Sequence, residues 1–267
     1  MPNPLTVELS DLALNGAMAL RSNPPPEADL PLRGITVLAV EDSRFASEAL
    51  RLMCRRLGAR LRRADTLHAA RSHLRLYRPD LVIVDLGLPD GRGEVLLREI
   101  AAQQGHRPVL LGTSGDTGGR GDALAAGAQG FIDKPFENFA AFRSAMLRYL
   151  PDLAANRPNG ANTGYPVLAS GAAYASSDAP ITPDALALRD DLAHAAAMIE
   201  AGHDRVDQRY LAGFLSGVAA HSHDTALAEA AANAGAAPLA SGLDHLHRML
   251  SRRLEGHSNA FGPAAGS

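Results

Sequence analysis

Glu41, Asp42, Asp85, Thr113 and Lys134 are the side chains of this 267-residue chain whose types and setting suit joint chemistry. Glu41 and Asp42 follow the apolar run ITVLAV, Asp85 closes LVIVD, Thr113 follows VLLG, and Lys134 follows GFID. Each stands where a predicted strand ends, and in an open parallel sheet the carboxyl ends of the strands form the ligand-binding rim. Carboxylates gathered on one rim repel one another, so a cation must offset them. Lys134 supplies one positive charge and a hard divalent ion would supply the rest. Mg²⁺ suits a site of few carboxylates completed by water and phosphate oxygens. Solvated loop ends are the plainer account of any one of these residues, but their common place at strand ends argues against it for the set. Of the 26 basic residues, Lys134 alone is lysine. An ammonium on a flexible stem and a planar guanidinium are not interchangeable, which singles that position out.

The elements that must position these groups can be read from hydrophobic pattern. Ile35–Val40, Leu81–Val84 and Val109–Leu111 are short continuous apolar runs, as expected of strands buried on both faces. Weaker strands are predicted at 59–64 and 130–132. Helices are predicted at Arg44–Leu57, opened by Ser43, then at Leu67–Tyr77, Gly93–Gln103, near Ala123–Ala126, and at Phe139–Leu150, stopped by Pro151. Five strand–helix repeats predict an α/β fold, a doubly wound five-stranded parallel sheet, with a second, smaller all-α domain after it.

The segments AVEDS (39–43), LVIVDLGLPDGRG (81–93), PVLLGTSG (108–115) and AAGAQGFIDKPF (125–136) resemble the receiver domain of bacterial two-component response regulators, over about 117 residues. The resemblance implies the flavodoxin-like receiver fold and a phosphoacceptor signalling protein rather than an enzyme. It implies that Asp85 accepts a phosphoryl group from a sensor histidine kinase or a phosphotransfer protein. Mg²⁺ would be held by Glu41, Asp42, Asp85 and the backbone carbonyl of Gly87. Thr113 would hydrogen-bond the phosphoryl group, Lys134 would pair with it, and Phe131 occupies the place of the aromatic switch residue beside Thr113. Phosphorylation adds about −1.5 to −2 charges and three acceptor oxygens, enough to draw Thr113 inward and let Phe131 turn. The last strand and helix, with Phe131 and residues 139–150, are the expected output face. Three positions depart from the family pattern: Gly112, expected to loosen its strand end, Ser114, read as a tolerated small residue, and the glycine-rich loop DTGGRG.

The rest of the chain is divided by composition. Residues 1–33 read as an extension with a short helix at Val7–Leu20, residues 34–150 as the receiver, 151–183 as a Pro/Gly/Asn/Ser linker, 184–255 as a helical module and 256–267 as a disordered tail. In the helical module, Leu239, Leu243, Leu246, Leu250 and Leu254 recur near a heptad seam and read as core. Seven of the ten histidines fall after residue 183 and read as solvated helix residues, with no chelating spacing on one face. GFLSGVA (213–219) faintly resembles a histidine-phosphotransfer element, with Gly213 at the histidine position and Ser216 at the lysine position. A module that binds a protein partner, or itself, is the expected output.

Charge and cysteine usage narrow the function classes. The net charge is −3, and in 184–267 acidic residues outnumber Arg, which opposes phosphate-backbone binding and makes DNA an unexpected partner. The alternatives are a DNA-binding regulator and a non-switching receiver scaffold. No run approaches the roughly 20 apolar residues that span a membrane. The amino-terminal segment lacks the basic stretch of a signal peptide, and the single cysteine, Cys54, reads as a buried small hydrophobe. A cytoplasmic location is expected.

Overall fold

The computed structural model describes residues 30–105, 107–115, 118–136, 138–149, 151, 184–201, 207–236 and 239–260. The predicted helix at Val7–Leu20 and residues 152–183 of the predicted linker lie outside these.

Five strands, β1 (Thr36–Val40), β2 (Arg60–Ala64), β3 (Leu81–Asp85), β4 (Val109–Ser114) and β5 (Gly130–Asp133), form one parallel sheet in the order β2-β1-β3-β4-β5. Between them run α1 (Arg44–Arg56), α2 (Leu67–Leu76), α3 (Gly93–Ala101) and α4 (Gly119–Ala125), and α5 (Phe139–Arg148) follows β5. Side chains alternate across a strand, so each strand feeds two cores. Val37, Ala39, Leu81 and Ile83 pack on one face with Leu50 and Met53 of α1 and Phe142 and Met146 of α5. Leu38, Val40, Val82 and Val84 pack on the other with Leu96, Leu97 and Ile100 of α3. Burial on both faces is why these strands are continuous apolar runs. β2 is an edge strand, and its exposed Arg60 and Arg62 discourage pairing with another chain.

Local chemistry sets the helix starts. The side chains of Ser43, Thr66 and Asn138 accept hydrogen bonds from Ala46, Ala69 and Ala141 in the first turns of α1, α2 and α5. The 34–150 boundary is crossed by Leu32, which is fully buried in the α1–α5 core and donates its N–H to the carbonyl of Leu57 at 2.8 Å.

Four helices make up the C-terminal part: α6 (Ala185–Glu200), α7 (Gln208–Ser222), α8 (Thr225–Ala236) and α9 (Leu239–Ala260). They enclose a separate core of Leu192, Ile199, Leu211, Leu215, Val218 and the seam residues Leu243, Leu246 and Leu250. α9 continues to Ala260, so the expected disordered tail does not begin at 256. The bundle packs α6 and α7 against α1, and α7 against the two-residue strand Gly87–Leu88. No described helix is long and apolar enough to cross a membrane.

Candidate functional site

Parallel pairing aligns the strand ends. Register sets Asp85 opposite Thr113 and Ser114 opposite Asp133, while Glu41 and Asp42 follow β1 directly. The Lys134–Pro135 bond is cis, and Lys134 N–H donates to the Ser114 carbonyl at 3.2 Å. The Lys134 ammonium lies 2.6 Å from Asp85 Oδ2 and 2.7 Å from Glu41 Oε2. All three side chains are at least nine-tenths buried.

Electrostatics at this rim follow from burial and crowding. Burial pushes the Glu41 carboxyl up, against the pull of Lys134. Burial likewise opposes the Lys134 ammonium, yet the charges of Asp85 and Glu41 hold its pKa above the ordinary lysine range. Burial, reinforced by the charge of Asp85, raises Asp42 to about 6. One oxygen from each of Glu41, Asp42 and Asp85 lies within 4.8 Å of the other two. These are hard oxygen donors close enough to share one small dication, so the residues present fit Mg²⁺. Gly87 stands beside them, and its N–H donates to Asp85 Oδ1 at 3.2 Å.

Thr113 is fully buried, and its Oγ1 has no hydrogen-bond partner among the described residues. An orphaned buried hydroxyl costs about 1–3 kcal/mol, which a new acceptor nearby would recover. Phe131 is buried on the α2–α4 side, with the Arg120 guanidinium 5.4 Å from its ring centre. Cys54 is buried in the core, which pushes its thiol up to about 12. It behaves there as a small hydrophobe.

Sequence reasoning missed the residues that the C-terminal bundle brings to this rim. Asp191 of α6, 2% exposed, accepts from the Ser43 hydroxyl at 2.7 Å and from the N–H groups of Arg44 at 2.8 Å and Phe45 at 3.0 Å. A carboxylate thereby satisfies the open N–H groups at the start of α1, where the helix dipole also favours it. The Tyr210 hydroxyl of α7 donates to Asp42 Oδ2. Burial, then the charge of Asp42, holds that phenol above its ordinary pKa, so it remains a donor.

His221 departs from the solvated reading of the histidines. It is 6% exposed, its Nδ1 lies 2.8 Å from the Gly217 carbonyl, and its Nε2 accepts the N–H of Phe136 at 3.0 Å. That pattern requires the neutral ring with its proton on Nδ1. Burial, aided by the positive charge of Lys134, lowers its pKa to about 4. Arg63 of β2 donates to the backbone carbonyls of Glu41 and Asp42. The signals in the sequence were slight: an Asp inside an apolar helix face, a Tyr among core positions and a His in a last turn.

Between the rim and α7 lies a cavity of about 370 Å³, lined by Asp85, Ser114 and Lys134 below and by Gly213, Ser216 and Gly217 above. The bundle thus sits over the strand ends, which differs from the output face expected at Phe131 and residues 139–150.

Residues 37–145 match the family model described as the response regulator receiver domain. The chain is 34% identical over 116 residues to the KDP operon transcriptional regulatory protein KdpE of Escherichia coli (strain K12), covering 42% of this chain and 52% of that protein. It is 32% identical over 121 residues to the transcriptional regulatory protein PhoP of the same strain, covering 44% and 54%. The chain therefore spans about half the length of the curated relatives it matches. The crystal structure of a putative response regulator from Chloroflexus aurantiacus is 27% identical, with a TM-score of 0.41, over 44% of this chain and 98% of that one.

Proposed function

Because residues 37–145 are a response regulator receiver domain, we propose that the chain works in a phosphorelay, with Asp85 as the phosphoacceptor and the C-terminal helices as a protein-binding output. The observation that carries this is the arrangement of Asp85, which ends β3 with Lys134 Nζ at 2.6 Å and opens onto the cavity under α7. A carboxylate is a weak nucleophile, so transfer relies on positioning and charge neutralisation. An Asp85 oxygen attacks the phosphorus of a phosphohistidine, the P–N bond breaks, and the imidazole leaves with the electron pair and takes up a proton. Glu41, Asp42, Asp85 and the Gly87 carbonyl would hold Mg²⁺, which when bound neutralises charge on the phosphoryl oxygens. Lys134 meets one of those oxygens, and the Thr113 hydroxyl donates to another. Movement of Thr113 frees the space into which Phe131 turns. The protein acts as a cytoplasmic phosphoacceptor, with a histidine kinase or phosphotransfer protein as donor.

The test is acid-labile phosphate labelling of the full chain with Mg²⁺. Label on wild type that disappears in Asp85→Asn is the expected result; equal labelling of both would sink the assignment. The names of the relatives make DNA binding the competing output. The excess of Asp and Glu over Arg in residues 184–267 disfavours it. A salt-dependent gel shift that discriminates among promoter sequences would establish that output instead.

A further inference from the structure

Two glycines line the α7 side of the cavity. Gly213 and Gly217 are four residues apart on α7, on the helix face that lines the cavity, and a Cβ at either would meet nothing within 4 Å. Larger side chains there would project into the space above Asp85. Around this gap polar contacts pin the bundle to the rim: Asp191 on the start of α1, with the exposed Arg44–Asp190 ion pair beside it, Tyr210 on Asp42, and His221 on the N–H of Phe136 just after the Lys134–Pro135 turn. One of them engages Asp42, a carboxylate of the same acidic cluster as Asp85.

At about 370 Å³ the space lies near the small end of the range for small-molecule sites. An α-helix with its side chains is about 10–12 Å across, and α7 already occupies that approach. A second protein cannot bring its own phosphohistidine to Asp85 while α7 lies there.

We propose that the α6–α7 surface bearing Asp191, Tyr210, Gly213, Gly217 and His221 is a built-in partner for the receiver's phosphoacceptor face. It closes Asp85 to protein donors, while the glycine gap leaves it open to small acyl phosphates. This rests on the reading of Asp85 as phosphoacceptor. In the docked form an Asp85 oxygen bonds to the phosphorus of the acyl phosphate, the bond from phosphorus to the acyl oxygen breaks, and the carboxylate departs with the electron pair. Phosphohistidine donors act on Asp85 only after the bundle lifts away.

The experiment uses the full chain with Mg²⁺ and two donors of different bulk, acetyl phosphate and benzoyl phosphate, reading phosphoaspartate by intact mass. Gly213→Leu fills the gap, and leucine is a better helix former than glycine, so the helix is retained. The double variant Asp191→Ala/Tyr210→Phe removes the contacts on the start of α1 and on Asp42. Wild type is expected to favour acetyl phosphate over benzoyl phosphate by about tenfold, a difference of about 1.4 kcal/mol in barrier. Gly213→Leu should slow labelling by acetyl phosphate by a similar factor, and the double variant should lose the size preference.

Hydrogen exchange at the Phe136 amide reports docking without any phosphorylation; it should be protected in wild type and exchange faster in the double variant. Labelling of Gly213→Leu at the wild-type rate, or a size preference that survives in the double variant, would overturn the proposal. Absence of label from wild type and double variant alike would count against Asp85 as acceptor, provided the Phe136 amide still reports docking.

Discussion

Lys134 is where residue chemistry decides most. Its ammonium bridges Glu41 and Asp85 at 2.7 and 2.6 Å with both partners buried. Breaking a buried pair by removing one partner is strongly destabilising, because a charge is left uncompensated. Lys134→Arg keeps the charge and changes only shape and donor geometry. The rigid fork of a guanidinium suits two oxygens of one carboxylate better than single oxygens of two carboxylates. We expect Lys134→Arg to retain Mg²⁺ binding within a few-fold, while its response to beryllofluoride weakens about tenfold, the equivalent of one charge-assisted hydrogen bond. Titration of each ligand by NMR separates the two effects. Equal losses of Mg²⁺ binding and beryllofluoride response would refute the role of Lys134 as phosphoryl partner. The lone lysine was legible in the sequence because an arginine-rich chain departs from its own habit there. The orphaned Thr113 hydroxyl was not, since burial without a partner is a property of packing.

At the scale of elements, β4 shows how tightly the site's frame is packed. A Cβ on Gly112 would stand 2.5 Å from the Ala123 Cβ of α4 and 3.1 Å from the Phe131 ring. The glycine expected to loosen the strand end instead lets α4 and Phe131 close on it, and β4 runs on through Ser114. Gly112→Ala therefore overpacks this junction and should lower stability by about 1–3 kcal/mol, read as a fall in the urea midpoint with an unchanged slope. An unchanged midpoint would mean that α4 gives way freely. The sheet was readable because strands buried on both faces must be continuous apolar runs. Helix ends came less cleanly: α3 stops at Ala101, two residues before its predicted end, and α4 starts at Gly119, ahead of its predicted span. Glycine-rich stretches carry little hydrophobic period from which to read a start.

For the molecule as a whole, the largest feature hidden from the sequence is the seating of the bundle on the rim. Its contacts join Ser43 to Asp191, Asp42 to Tyr210 and Phe136 to His221 across 148, 168 and 85 residues. Local periodicity holds no information about such pairs, so all three bundle residues looked like ordinary helix positions. His221 gives this interface a pH signature. Its docked pKa is lowered to about 4, below the ordinary histidine value of 6.5, by burial and then by the charge of Lys134, with His223 adding a little. A protonated Nε2 cannot accept the Phe136 N–H, so the undocked ring binds a proton more readily than the docked one. Docking therefore keeps its full strength above pH 6.5 and weakens as pH falls toward 4, by at most about 3 kcal/mol from this group. Asp42 and Asp191, whose carboxyls burial raises, work in the opposite sense over part of that range. The comparison that isolates the histidine is thus wild type against His221→Gln, whose amide oxygen still accepts the Phe136 N–H but does not titrate. Exchange at the Phe136 amide should accelerate between pH 6.5 and 4 more steeply in wild type than in His221→Gln, after correction for the intrinsic pH dependence of exchange. Parallel profiles in the two proteins would show that His221 does not link docking to protonation.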